Sequence, residues 1–213
     1  MPELHAEPFA LAAGASIGCI AGVLGAHAAS RASGPSSRPR RWGLLAGMIG
    51  AIAGTAVAVR FGTGVQLAAY LLFVAVALPL SAIDIAVRKV PDRILVPAVP
   101  AAIALLALAA HHAGACGELG RALLAGIATF GAYVVLALAT GQVGLGDCKA
   151  AGLCGLYLGF LGVRPAALGV VAAFVLASVG SVISRVRRGS GRDRTLAFVP
   201  YIFTGTLLVI LVG

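Results

Sequence analysis

The sequence predicts an all-α protein, a polytopic membrane bundle of about eight transmembrane helices with its N-terminus outside. Hydrophobic residues fill 60% of the 213 positions and charged residues only 11%, against roughly 25% charged residues in an average soluble domain. So few charges cannot cover the core of a soluble globule of this size, which excludes an ordinary soluble enzyme. A membrane span needs about 20 apolar residues. Eight spans therefore leave no room for a sizeable domain outside the membrane, and we predict one integral-membrane domain over residues 1–213.

Eight apolar runs divide the chain and predict the helices in order. They cover approximately residues 9–29, 42–60, 64–84, 93–111, 121–140, 148–163, 165–184 and 196–212. The sixth run is short, and its connection to the seventh at residues 162–165 is tight. An arrangement of seven spans, in which one run is merged or dropped, therefore stays open.

Basic residues lie in the short connections between the runs. With the N-terminus outside, the cytoplasmic connections hold thirteen Lys and Arg residues and the opposite ones hold three. This strong positive-inside bias predicts an even number of spans in a plasma or inner membrane, with anionic lipids as partners of the basic loops. It also gives the net charge of +9 a role in orientation, and we expect no binding of nucleic acid.

Glycines recur at helical spacing within several runs. The sets are Gly14, Gly18 and Gly22 in the first run, Gly43 with Gly47 and Gly50 with Gly54 in the second, and Gly155 with Gly159 in the sixth. Such faces let helices approach closely in lipid. We assign them a role in packing and none in catalysis.

Two carboxylates, Asp84 and Asp147, lie at the cytoplasmic ends of apolar runs, the third and the sixth. A carboxylate at the end of a span is costly to desolvate and needs water, a partner or a function. Structural explanations stay open for each one singly. Asp84 could pair with Arg88 four residues later, and Asp147 could cap the helix that follows it.

The surroundings of both residues favour a functional explanation. Three glycines at residues 141–146 relax the backbone before Asp147 and allow another peptide to approach it. Pro91 should end the third helix, and the fourth helix can begin at Asp92, which either supports the site or caps that helix. Lys149 points away from Asp147 if the segment is helical, and otherwise could contact Asp147 or the substrate backbone.

Here the chain resembles a known family. The run Gly144-Leu145-Gly146-Asp147-Cys148-Lys149 resembles the GxGDxK motif of type IV prepilin peptidases. The segment from Asp84 to Asp92 resembles that family's other motif, an Asp followed some seven residues later by Pro-Asp or Pro-Asn, and residues 197–201 resemble a degraded form of its C-terminal PFGPF stretch. The resemblance implies an aspartic endopeptidase with Asp84 and Asp147 as the catalytic pair. The residues that support the motifs are Gly144, Gly146, Lys149, Pro91 and Asp92.

The resemblance also implies a substrate. Family members remove the short leader of prepilin or pseudopilin precursors at the cytoplasmic membrane face, in pilus biogenesis and type II secretion. Many members carry a cytosolic domain with paired CxxC zinc motifs, which is linked to N-methylation. Here residues 30–41 form a short basic cytoplasmic loop without Cys, too short to fold a methyltransferase. We predict no N-methylation, no metal and no cofactor.

The predicted mechanism uses two carboxylates that cannot both ionise cheaply, so that one accepts a proton from water and the other donates one. Which Asp is the base stays open, as does the oligomeric state. The alternative function is an ion-coupled transporter with Asp residues at the membrane edge. A proton relay favours carboxylates near the midplane, whereas both of these lie at the cytoplasmic edge. Presenilin-type proteases also use GxGD, but the Pro-Asp motif favours the prepilin reading.

Overall fold

The computed structural model describes residues 7–33, 41–141, 143–188 and 197–213. Within these ranges the chain forms eight helices and no strand, which confirms the all-α prediction. The helices are α1 (Pro8–Ala32), α2 (Arg41–Phe61), α3 (Val65–Val87), α4 (Asp92–Ala113), α5 (Cys116–Thr140), α6 (Leu145–Leu161), α7 (Val163–Arg188) and α8 (Val199–Val212).

Six of these helices, α1 to α5 and α7, are long and apolar enough to cross a bilayer, as expected for a multi-pass membrane protein. The other two, α6 and α8, are shorter at 17 and 14 residues. The sixth and seventh runs form separate helices, since Gly162 lies between them with a φ of 151°. That backbone conformation is open to glycine and strained for other residues, so merging these two runs into one helix was wrong.

The helices extend beyond several predicted edges. α5 begins at Cys116, five residues before the apolar run, and α7 continues to Arg188. Glu118 lies in the first turn of α5, where a negative charge interacts favourably with the helix dipole. A polar turn can therefore extend a helix beyond its apolar stretch.

The chain divides into two compact units, a first unit of Met1–Leu119 and a second unit of Gly120–Gly213. The predicted single peptidase domain over residues 1–213 stays a prediction. Most of the predicted basic loop at residues 30–41 lies outside the described residues, at 34–40. Its described parts are helical or a turn, because α1 continues to Ala32 and α2 begins at Arg41.

In the first unit, α1 and α2 pack through their glycine faces, as predicted. A Cβ atom at Gly14, Gly18 or Gly22 would overlap the backbone carbonyl groups of Gly54, Gly50 and Ala46, respectively. Gly43 is an exception, because nothing lies within 4 Å of a Cβ built on it. The packing role predicted for Gly43 was therefore wrong, although it shares a helix face with Gly47, which contacts α1.

In the second unit, α6 is the central helix, and eleven of its residues are buried. Gly155 and Gly159 face α5, as predicted: a Cβ at Gly155 would lie 2.8 Å from the Ala125 oxygen, and one at Gly159 would lie 3.1 Å from Ala122 Cα. Arg121 of α5 donates hydrogen bonds to the carbonyl oxygens of Gly159 (2.9 Å) and Phe160 (3.0 Å). A cation at this end satisfies the last carbonyl groups of α6 and complements its dipole.

Candidate active site

Asp84 lies in the last turn of α3 and is only 4% exposed. Its backbone oxygen accepts a hydrogen bond of 2.8 Å from the Arg88 N–H. Burial of a carboxylate is costly unless hydrogen bonds or opposite charges compensate for the lost water. Such a residue at the end of an apolar helix is therefore a strong functional candidate.

The connection between α3 and α4 has a defined conformation. α3 ends at Val87 because Arg88 adopts the left-handed conformation, with a φ of 53°. Arg88 is the single non-glycine residue with a positive φ in the part of the chain that the structure describes. The helix therefore ends before Pro91, as predicted, but three residues earlier than the proline alone would require.

Pro91 and Asp92 begin α4. Pro91 is extended and acts as the N-cap, and its oxygen accepts hydrogen bonds from the N–H groups of Ile94 (3.1 Å) and Leu95 (3.3 Å). Asp92 is exposed and is the first residue of the helix. The predicted start of the helix is confirmed, but the capping role suggested for Asp92 was wrong, because Pro91 occupies that position. At its actual position the carboxylate of Asp92 complements the helix dipole.

Asp147 lies in the first turn of α6 and is half-buried. The helix begins at Leu145, so Asp147 is its third residue and not the residue that precedes it. The N–H of Gly144, the N-cap, donates a hydrogen bond of 3.0 Å to Asp147 Oδ2. Because glycine has no side chain, only this half of a capping box can form. The structure thus brings Gly144 and Asp147 into direct contact and fixes one carboxylate oxygen.

The glycines before Asp147 differ in what they contribute. Gly141 ends α5 with a φ of 65°, which uses the conformational freedom of glycine. Gly144 has an ordinary extended conformation, with φ −78° and ψ 153°, and Gly146 lies within α6. Gln142 lies outside the described residues. Relaxed backbone is therefore observed at Gly141 and not along the whole segment.

Lys149 lies on α6, two residues after Asp147. Positions two apart on a helix point to different faces, so the helical reading is confirmed and the irregular alternative was wrong. Within the described ranges, no group of three or more His, Cys, Asp or Glu side chains is arranged to hold a metal ion.

The C-terminal segment at residues 197–201 leads into α8. Phe198 is the N-cap, and α8 begins with Val199 and Pro200. Tyr201 packs against Gly180 of α7, where a Cβ would overlap the Tyr201 ring and hydroxyl. The segment thus contributes aromatic side chains to the second unit, which its degraded motif alone did not indicate.

A comparison with known families identifies the matched region. The model of the type IV leader peptidase family matches residues 71–184, just over half of the chain. This range holds all the predicted site residues, which are Asp84, Pro91, Asp92, Gly144, Gly146, Asp147 and Lys149. No curated protein and no solved structure matches the chain.

Proposed function

This chain belongs to the type IV leader peptidase family, and we propose that it is a membrane-embedded aspartic endopeptidase. Its substrates are prepilin or pseudopilin precursors, whose short leaders it removes at the cytoplasmic face of the membrane. The observation that carries this proposal is the presence of both Asp motifs inside the family match, each at the end of a helix. The position of Asp84 supports it further, because an ionisable residue buried at the end of an apolar helix is a functional candidate by default.

We assign catalysis to Asp84 and Asp147. The ionised carboxylate accepts a proton from a water molecule as the water oxygen attacks the scissile carbonyl carbon. The protonated carboxyl donates its proton to the carbonyl oxygen, which gives a tetrahedral intermediate. The C–N bond then breaks as the leaving amine takes up a proton from the carboxyl that accepted it from water. The other carboxylate recovers its proton from a hydroxyl of the intermediate, which becomes the product carboxyl group. Two carboxylates share this work when their proton affinities are driven apart.

The distribution of basic residues supports a cytoplasmic reaction site. Thirteen of the sixteen Lys and Arg residues lie on one side of the predicted topology, and such a bias marks the cytoplasmic side. The end of α3 with Asp84, the start of α4 with Asp92 and the start of α6 fall on that side. The same loops are suited to anionic lipid. The enzyme is expected to lack N-methylating activity, because α1 ends at Ala32 and α2 begins at Arg41, which leaves no room for a methyltransferase between them.

The experiment that tests this function is cleavage of a prepilin precursor by the purified protein in detergent or liposomes. We expect loss of the leader and a new, unmethylated N-terminus, identified by mass spectrometry of the product. If several prepilin and pseudopilin precursors stay uncut while the protein conducts protons across liposomes, the peptidase proposal is wrong. That result would favour the ion-coupled transporter.

A Gly144→Pro variant tests the role of the backbone donor. Proline suits the φ of −78° but has no N–H, so the hydrogen bond to Asp147 Oδ2 is lost. Hydrogen bonds to charged groups contribute about 1.5–3 kcal/mol, and we expect cleavage to fall about 10-fold or more. Because this bond favours the ionised carboxylate, its loss should move the acid limb of the pH–rate profile to higher pH.

The matched control is Gly144→Ala. A Cβ at Gly144 would lie 3.5 Å from Asp147 Oδ2, an ordinary van der Waals contact, and the N–H donor remains. We expect near-wild-type cleavage and an unchanged pH profile. Equal activity in both variants, with unchanged thermal unfolding, would show that the backbone donor does not act on Asp147.

A further inference from the structure

Three aromatic rings from three elements meet in the second unit and form what we call the aromatic cluster: Tyr133 of α5, Phe174 of α7 and Phe198 before α8. The ring centroids lie 5.6 Å apart for Tyr133 and Phe174, 6.2 Å for Tyr133 and Phe198, and 5.7 Å for Phe174 and Phe198. These are favourable separations for tilted aromatic pairs. Tyr133 is only 2% exposed, so the cluster holds its ring in one place.

The register of α5 against α6 places Tyr133 beside the second turn of α6, next to the turn that holds Asp147. The two helices run antiparallel and pack closely, since a Cβ at Gly152 would lie 3.0 Å from Phe130 Cβ. Continuing one turn along α5 and one turn back along α6 brings Tyr133 opposite residues 148–151. Tyr133 and Ala151 line the same small cavity, which agrees with this register.

Asp147 is in electrostatic reach of the Tyr133 phenol. The titratable groups close enough to interact electrostatically with that phenol are Cys154, Asp147 and Cys148, all on α6. From the other two elements the ring meets Phe174 and Phe198, which do not titrate. Among these groups only Asp147 is ordinarily ionised at neutral pH, so it is the one whose charge a phenol hydroxyl would stabilise.

We propose that Tyr133 is a positioning residue for Asp147, an inference that rests on the proposed function. The hydroxyl donates a hydrogen bond through one water molecule to the Asp147 carboxylate, whose Oδ2 already accepts the Gly144 N–H. The aromatic cluster fixes the ring for this purpose. Phe198, from the degraded C-terminal motif, thereby acts on the reaction without touching the substrate.

The test compares Tyr133→Phe with Tyr157→Phe. Both changes remove one buried phenol hydroxyl from the second unit, and Tyr157 is 1% exposed. Tyr157 lies ten residues after Asp147 on α6, nearly three helical turns away, which makes it the matched control. The readout is the pH dependence of carbodiimide labelling of Asp147 in the purified full-length protein, quantified by mass spectrometry. This readout needs no substrate.

We expect the labelling midpoint of Tyr133→Phe to move up by about one pH unit, because a hydrogen bond to the ionised form is lost. Tyr157→Phe should keep the wild-type midpoint. Equal midpoints in all three proteins, or equal shifts in both variants, would overturn the proposal. A purely structural role of Tyr133 would change thermal unfolding and leave the labelling midpoint in place.

Cleavage supplies the second readout and separates the two proposals. In Tyr133→Phe we expect kcat for a prepilin precursor to fall about 10-fold with KM unchanged, and the acid limb to move with the labelling midpoint. If the wild type cleaves and the midpoints do not differ, the inference about Tyr133 alone is wrong. If the wild type cleaves no precursor, the proposed function fails, while the labelling midpoints still decide whether Tyr133 acts on Asp147.

Discussion

An Asp84→Asn variant is expected to insert and fold like the wild type and to lose prepilin cleavage by about 10³-fold or more. Asparagine keeps the size and shape of the side chain in its buried position, but an amide neither accepts nor donates the catalytic proton. General acid–base catalysis contributes about 10²–10⁴-fold to a rate. Asp147→Asn should cause a loss of the same order. Initial rates on one prepilin precursor, with purified variants in the same detergent, measure both effects.

The control for these variants is Glu118→Gln, which removes a carboxylate charge from the first turn of α5 without touching either motif. We expect it to retain nearly all cleavage. A double variant, Asp84→Asn with Asp147→Asn, should be no slower than the worse single variant, because residues that act as a unit are strongly non-additive. Substantial cleavage by either single variant would remove that residue from the reaction.

The helices could be predicted from the sequence because the apolar runs and the prolines and glycines between them set local limits. Pro91 predicted the start of α4 at Asp92, and the tight segment after α6 contains Gly162. The exact ends could not be predicted, since an apolar run reports only the part of a helix that is apolar. Hydrogen bonding continues into polar residues, as at the start of α5 and at the end of α7.

The candidate site was predictable in its residue types and not in its local contacts. The motifs identified Asp84 and Asp147, whereas the left-handed Arg88 and the bond from Gly144 N–H to Asp147 depend on where a helix begins or ends to within one residue. Asp147 is the third residue of α6 and not its N-cap, a difference of three positions. The pattern of apolar residues does not define the start of a helix that closely. The neighbours of Tyr133 could not be predicted either, because Phe174 and Phe198 come from distant parts of the chain.

Glycine spacing is likewise not enough to predict which glycines pack against another helix. Gly43 with Gly47 has the spacing of Gly50 with Gly54, yet a Cβ at Gly43 meets nothing within 4 Å. Spacing defines a face of a helix, but only the position of the neighbouring helix decides whether that face is packed. This difference supplies a test in which the chain provides its own control.

A Gly18→Leu variant is expected to lose the packed first unit. A Cβ at Gly18 would overlap the Gly50 oxygen and lie 2.6 Å from the Gly50 carbonyl carbon. Backbone cannot move aside as a flexible side chain can, so the helices must separate. Overpacking typically costs about 1–3 kcal/mol and occasionally more, and here we expect a loss of at least about 3 kcal/mol in the free energy of unfolding. Thermal unfolding and size-exclusion profiles in detergent measure it.

The matched control, Gly43→Leu, introduces the same side chain in α2 at an unpacked position and should leave unfolding nearly unchanged. Cleavage should fall in Gly18→Leu and stay near the wild-type rate in Gly43→Leu, although α1 and α2 both lie outside the family match at residues 71–184. α1 also packs on α3, where a Cβ at Gly25 would lie 2.7 Å from Pro79 Cα. α3 ends about two turns after Pro79, with Asp84 in its last turn. Displacing α1 should therefore disturb the helix that holds Asp84, one of the two proposed catalytic carboxylates. Wild-type stability and cleavage in Gly18→Leu would show that α1 and α2 do not need this close approach.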